Sequence, residues 1–436
     1  MLPPSPHAAG PPGQPSVLVV TTCWWPSLAR LAHRLQLAGC RISLLCPPGH
    51  PALAIPGVTA FAQSAFAPLP ALARAIEASG ADVIVPGDDR AVAHLHRLHR
   101  AGTDAERRLI EASLGDPAHY PTTSSRVAVL RAAREAGLAV PLDAPIGRLA
   151  DIRAWAASVR APWVMKMDGA WSGAGVRIVD DLHQAERTWR QLRRGTRLHV
   201  ALKRCLVNRD PFWLADRAQG RVRAVSVQAY VPGRPGNLAL FCRQGEVLAA
   251  AVCDVEASWG PTGPSTIVRI VDRPALVSAA GRLARDLGLN GFIGIDYVIE
   301  PGGRLVMIEL NPRATSLCNL PLGPGRDLVA AAASCWTGRP VAAPAAPSTD
   351  LVAHFPLCQH WSADDPRLPA CYQDIPVEQP ALVEAMLAPA WPERSLPARL
   401  AARGRALLDR QSSGPVRLAG VARRVAASDQ TGSRIG

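Results

Sequence analysis

The segment from Asn290 to Arg313 constrains this chain more than any other. Two apolar, β-branched runs flank Pro301, Gly302 and Gly303, which predicts a β-hairpin. With Gly302-Gly303 as a two-residue loop, Pro301 faces Arg304, and counting back sets Asp296 opposite Glu309. Side chains alternate along a strand, so Asn311 shares the face of Glu309. Two carboxylates opposed on one sheet face repel each other, at a cost of a few tenths to about 1 kcal/mol. A divalent cation turns that repulsion into a ligand set, with the Asn311 amide oxygen as a third hard donor. The outline is that of a magnesium site; a solvated hairpin face carrying two acids by chance is the alternative. If repulsion governs the empty hairpin, Glu309→Gln abolishes magnesium-dependent turnover while slightly stabilising the fold.

A length of 436 residues predicts two to four lobes rather than one core. No apolar run approaches the roughly 20 residues of a membrane span, and the start lacks a basic segment followed by an apolar core, so neither membrane nor signal peptide is expected. Ten cysteines occur without a Cys-x-x-Cys pair. They resemble small buried residues in a reduced compartment, not a disulfide framework or zinc site. A soluble, cytoplasmic protein is the expectation. The net charge of +13 invites a nucleic-acid reading. Its arginines are spread through Ala/Leu-rich helices, with no run and no aromatic interleaving, so no nucleic-acid partner is expected. Lysine occurs only at Lys166 and Lys203. A surviving lysine marks a place where a compact ammonium serves and a planar fork does not, unless it survives by chance.

Residues 1–15, rich in Pro, Gly and Ala, are expected to be disordered. From 16 to 118 strands alternate with helices, predicting a small doubly wound parallel sheet. No Gly-x-Gly-x-x-Gly turn follows its first strand, which argues against a dinucleotide site. Asp88 and Asp89 follow its short strand Ala81 to Pro86; a helix cap before Ala91 is favoured over substrate contact. A capped helix from Thr122 to Gly137 follows. Strand 162–168 carries Lys166, and Gly169 to Gly175 forms a Gly/Ser loop before strand 176–179. Such a loop folds its amides over a phosphate chain or makes a plain hairpin turn. It is not a Walker A loop, since no Gly-Lys-Ser/Thr follows. The stretch 198–251 reads as strand-rich, with a hairpin at Gln244-Gly245. Helix 273–287 then delivers the chain to the opening hairpin. Trp259 to Arg269 is a candidate wall of an acceptor pocket, or an ordinary Pro/Gly loop entering a strand.

Lys166 with its glycine loop, then Gln228-Ala-Tyr-Val-Pro-Gly, then Asp296 and Glu309-Leu-Asn-Pro-Arg313, stand in the order seen in the ATP-grasp superfamily. The pattern resembles its carbamoyl phosphate synthetase-like and biotin carboxylase-like branch over about Ser16 to Arg339. The resemblance implies an α/β and α+β protein: a small pre-ATP-grasp sheet domain (16–118), an ATP-grasp domain (119–345) with a lid at about 160–227, and a C-terminal extension (346–436) outside the match. It implies an ATP-dependent carboxylate–amine or carboxylate–thiol ligase using ATP and Mg²⁺ or Mn²⁺, with small-molecule substrates and room for a homodimer. Lys166 would contact the ATP phosphates beneath Ser172, Gly173 and Gly175, and Arg126 stands where many relatives carry a second phosphate-binding lysine. Gln228 replaces a common hinge glutamate, with the backbone of Ala229, Tyr230 and Val231 reading adenine. Asp296 and Glu309 would hold the metal with Asn311 assisting, and Arg313 would face the carboxylate or acyl phosphate. A sensor or scaffold that binds ATP without turnover is the alternative.

Overall fold

The computed structural model describes residues 14–168, 175–193, 198–206, 210–218, 224–260 and 263–388. Ser16–Val20 (β1), Arg41–Cys46 (β2), Thr59–Ala62 (β3) and Val83–Pro86 (β4) form an all-parallel sheet in the order β3-β2-β1-β4. The β1 strand is buried along its whole length, because helices cover both faces, as continuous apolar runs in parallel sheets require. Asp88 caps the helix Asp89–Ala101, accepting from the Ala91 amide.

A second sheet joins Asp143–Ile146 (β5), Trp163–Met167 (β6), Val176–Val179 (β7) and Val225–Ala229 (β8), in the order β5-β8-β6-β7. It has its own core around Met165, Trp189 and Val227. This sheet begins at Asp143, earlier than the lid boundary of about 160 drawn from sequence. The stretch expected to be strand-rich from residue 198 instead opens with two helices, Leu198–Leu206 and Phe212–Ala218. Leu198, Ala201, Leu202 and Cys205 recur at helical spacing, a period that outweighs the β-branched residues further along.

The largest sheet comprises Arg234–Arg243 (β9), Glu246–Ser258 (β10), Ser265–Val271 (β11), Gly291–Ile299 (β12), Leu305–Asn311 (β13), Leu351–Ala353 (β14) and Tyr372–Gln373 (β15), ordered β13-β12-β9-β10-β11-β14-β15. Leu238, Leu240, Ile293, Ile295 and Tyr297 face the helices Arg126–Glu135 and Pro274–Asp286. The opposite face, with Phe241, Ala251 and Phe292, shares one core with Val17, Leu28 and Leu44 of the first domain. β14 and β15 are therefore part of this sheet, and Leu382, Val383 and Met386 of the helix Pro380–Leu387 belong to the same core. The C-terminal extension expected from residue 346 thus contributes strands to this sheet. No described helix is long and apolar enough to cross a membrane.

The β12–β13 hairpin pairs Asp296 with Glu309, as counted from sequence, by a different route. Glu300 N–H donates to Arg304 O, so Pro301, Gly302 and Gly303 make a three-residue loop, with Gly303 at φ +81°. That left-handed position favours glycine in such loops. A β-bulge then shifts the register between Tyr297↔Met307 and Asp296↔Glu309, leaving Ile308 as the extra residue. The longer loop and the bulge cancel.

Candidate functional site

Between the second sheet and the largest sheet lies a cavity of about 430 Å³. Of the residues singled out from sequence, Arg126, Lys166, Gln228, Tyr230, Val231, Asp296, Glu309, Asn311 and Arg313 line it. Ala229 ends β8 beside it, and Gly175 is buried next to β6, its carbonyl accepting from Met167 N–H at 3.1 Å. Ser172 and Gly173 lie outside the described residues.

A polar row crosses three neighbouring strands. Asn237 on β9 pairs with Asp296 on β12, which pairs with Glu309 on β13. Asn237 Nδ2 donates to Asp296 Oδ1 at 2.7 Å, and Asn311 Nδ2 donates to Asp296 Oδ2 at 3.2 Å. Asn311 thus offers Asp296 its nitrogen, while its oxygen accepts from Arg313 Nη2 at 3.0 Å. Burial and the facing Glu309 hold the Asp296 carboxyl up at about 6.

Glu309 is held the other way. Arg126 Nη1 stands 2.6 Å from Glu309 Oε1, and Lys166 Nζ stands 3.9 Å from Oε2. Burial opposes its charge, but Arg126 and then Lys166 outweigh that and keep Glu309 below the usual carboxylate range. Lys166, only 6% exposed, reaches from β6 across the cavity and donates to the carbonyl of bulged Ile308 at 3.0 Å. Burial pushes the Lys166 ammonium down to about 8 despite Glu309. Arg126 also lies 3.7 Å from Asp168, whose carboxyl burial raises against that arginine's pull.

On β8, Gln228 is 4% exposed and its Nε2 has no hydrogen-bond partner among the described residues. A buried amide left unpaired is costly unless something enters to meet it. The amides of Ala229 and Tyr230 are already taken by the carbonyls of Leu142 (2.9 Å) and Pro162 (3.3 Å). At the other end, Arg313 Nε donates to Asp89 Oδ1 at 2.9 Å. Gly263, Pro264 and Ser265 of the suspected acceptor segment also reach the cavity.

Sequence reasoning missed Asn237 and Asp168; of the two acids for which it favoured a helix cap, Asp88 caps and Asp89 meets Arg313. A lone amide entering the apolar run Leu238 to Phe241 was the available signal for Asn237. Asp296 and Glu309 supply hard oxygen donors on one face, which suits magnesium shared with phosphate oxygens and water. Two carboxylates alone make a sparse cage, and among the described residues no cluster of three or more His, Cys, Asp or Glu forms a metal site. A phosphate-bearing ligand would have to complete the shell.

Residues 213–317 match the family described as the ATP-grasp domain. Among solved structures, the chain is similar to carboxyaminoimidazole ribonucleotide synthase from Aspergillus clavatus complexed with ATP, at 12% identity and a TM-score of 0.56, covering 84% of this chain and 87% of that one. It is similar to a biotin carboxylase–β,γ-ATP complex from Campylobacter jejuni at 14% identity and a TM-score of 0.54, covering 77% and 73%. It is also similar to L-amino acid ligase from Bacillus licheniformis at 14% identity and a TM-score of 0.50, covering 74% of each chain. No curated protein matches the chain by sequence.

Proposed function

Because the chain carries an ATP-grasp domain in an ATP-grasp fold, we propose that it is an ATP-dependent ligase that activates a carboxylate as an acyl phosphate for an amine or thiol. The observation that carries this reading is the meeting of two opposed acids, two cations paired to Glu309 and a separate arginine in one cavity. Gln228 and the hinge of Ala229, Tyr230 and Val231 take the adenine end of ATP. Lys166 and Arg126 take the phosphates. Asp296 and Glu309, with Asn311 in support, would hold magnesium, which when bound neutralises phosphate charge.

A carboxylate is a poor electrophile because its charge is delocalised. Its oxygen attacks the γ-phosphorus of ATP, the bond from that phosphorus to the ADP oxygen breaks, and an acyl phosphate forms. The nucleophile then adds at the carbonyl carbon, the carbon–oxygen bond to phosphate breaks, and the nucleophile's proton passes to solvent. Arg313 holds the carboxylate in line. Lys166 and Arg126, paired to Glu309 in the free protein, turn to the phosphate oxygens as charge develops there. Positioning and charge neutralisation of this kind supply most of the barrier reduction in phosphoryl transfer.

The test is ADP release with Mg-ATP across a panel of carboxylates and amines. Wild type is expected to turn over at least one pair, and Lys166→Ala to fall by about 100-fold or more. If wild-type protein binds ATP yet stays at background across the panel, the non-catalytic sensor or scaffold takes its place.

A further inference from the structure

Past the metal row, the cavity ends on a single ion pair. Asp89 opens the helix Asp89–Ala101 and Arg313 follows β13; their side chains are 23% and 19% exposed, and both line the cavity. Asp88 beside them is already engaged by Thr21, Thr22 and the Ala91 amide. Cys23, Trp25, Thr315, Ser316, Leu317 and His354 also line the cavity and add no carboxylate, lysine or arginine. Among the described residues, the lysines and arginines lining the cavity are Arg126, Lys166 and Arg313. The first two are paired to Glu309 and, on the reading above, serve ATP. Among the described residues lining the cavity, a phosphorylated substrate therefore finds no further cation beside Arg313.

We propose that the substrate activated here is a zwitterion, an α-amino acid, whose carboxylate takes Arg313 and whose ammonium takes Asp89. This rests on the ligase reading. Entry of such a ligand exchanges one ion pair for two and leaves the site neutral. A plain carboxylic acid pairs with Arg313 but strands the Asp89 carboxylate beside a second anion; a plain amine strands Arg313. The discrimination arises from the charge left unpaired as much as from the new contact. An ammonium held by Asp89 stays protonated and has no lone pair, so the activated amino acid does not attack through its own nitrogen. The nucleophile is a second molecule.

Binding is measured by calorimetry on the full chain loaded with Mg²⁺ and a non-hydrolysable ATP analogue, titrated with the proteinogenic amino acids and their des-amino acids. At least one amino acid is expected to bind, and its des-amino counterpart about 100-fold more weakly or not at all. Asp89→Asn is expected to lose that preference and Asp89→Glu to restore it in part, with affinity for the nucleotide analogue as the folding control. Equal binding of amino and des-amino acids, an unchanged preference in Asp89→Asn, or no amino-acid binding to nucleotide-loaded protein overturns the proposal and leaves the ligase reading standing. If the nucleotide analogue itself fails to bind, the ligase reading falls and the zwitterion site with it.

Discussion

Asp296 and Glu309 face each other, yet their surroundings push them in opposite directions. The sequence puts them opposite one another and predicts that repulsion dominates; the structure reverses the sign for Glu309. Arg126 and Lys166 are its partners, so Glu309→Gln removes the nearest counter-charge from two poorly hydrated cations, with Asp168 still 3.7 Å from Arg126. We expect it to destabilise the unliganded fold by about 1–2 kcal/mol, a value reduced because Glu309 remains partly exposed to the cavity. Urea denaturation in chelator measures this, and an unchanged or raised midpoint would contradict it. Asp296 behaves conversely. Its folded pKa of about 6 lies above the ordinary 3.8, so the folded state holds its proton longer than the unfolded one. That contribution is complete below about pH 4 and is lost as pH rises through about 6. Asp296→Asn should flatten this decline and stabilise the unliganded protein at pH 8 by on the order of 1 kcal/mol. A decline that survives the substitution would assign it to other groups. Opposed acids are legible in a sequence because hairpin register is local. Their charge state is not, because the arginine that sets it stands at position 126.

At the scale of elements, hairpin register survived an error in loop length because the Ile308 bulge restored it. This has a checkable consequence. Deleting one residue from a strand ordinarily turns the following side chains to the wrong face. Removing Ile308 instead leaves Leu305, Met307 and Leu310 on the core face in strict alternation, with Glu309 still opposite Asp296. The carbonyl that receives Lys166 is lost. We expect the deletion to fold with near-native circular dichroism while ADP release drops by about 100-fold; an unfolded product would show that the bulge is structurally required. The Gln244-Gly245 hairpin was also legible, since both residues adopt positive φ (50° and 78°), as a two-residue loop between right-twisted strands demands. The helices Leu198–Leu206 and Phe212–Ala218 depart from the strand-rich expectation although apolar residues recur there at helical spacing. Leu198, Leu202 and Leu206 are exposed, so little burial pattern marks the period.

For the whole molecule, the alternating strand–helix pattern announced the first sheet, whereas the joining of its core to the largest sheet rests on contacts between distant segments. Arg30 and Asp374, a buried pair at 2.7 Å, tie the first domain to the segment the sequence had set aside. The helix Phe212–Ala218 is held against the first domain as well. Arg90 lies 3.5 Å from Asp210 and covers the ring of Phe212 at 4.4 Å, which also packs on Ala65 and Ala215. Phe212→Ala should loosen that attachment and speed release of a fluorescent ATP analogue about tenfold, with little change in melting temperature. An unaltered release rate would show that this contact does not restrain nucleotide release. The attachment falls within three consecutive residues. Asp88 fastens its own domain's Thr21 and Thr22, Asp89 meets Arg313, and Arg90 meets Asp210 and the ring of Phe212. Successive residues at a helix start point about 100° apart, so one short stretch addresses three bodies at once. For anyone building chimeras, the first domain is therefore a keyed part rather than a cassette. A donor domain with the right sheet but a different tripeptide at this corner would fold and dock, yet meet neither Arg313 nor Phe212. A one-residue insertion ahead of the corner would turn all three teeth of the key together.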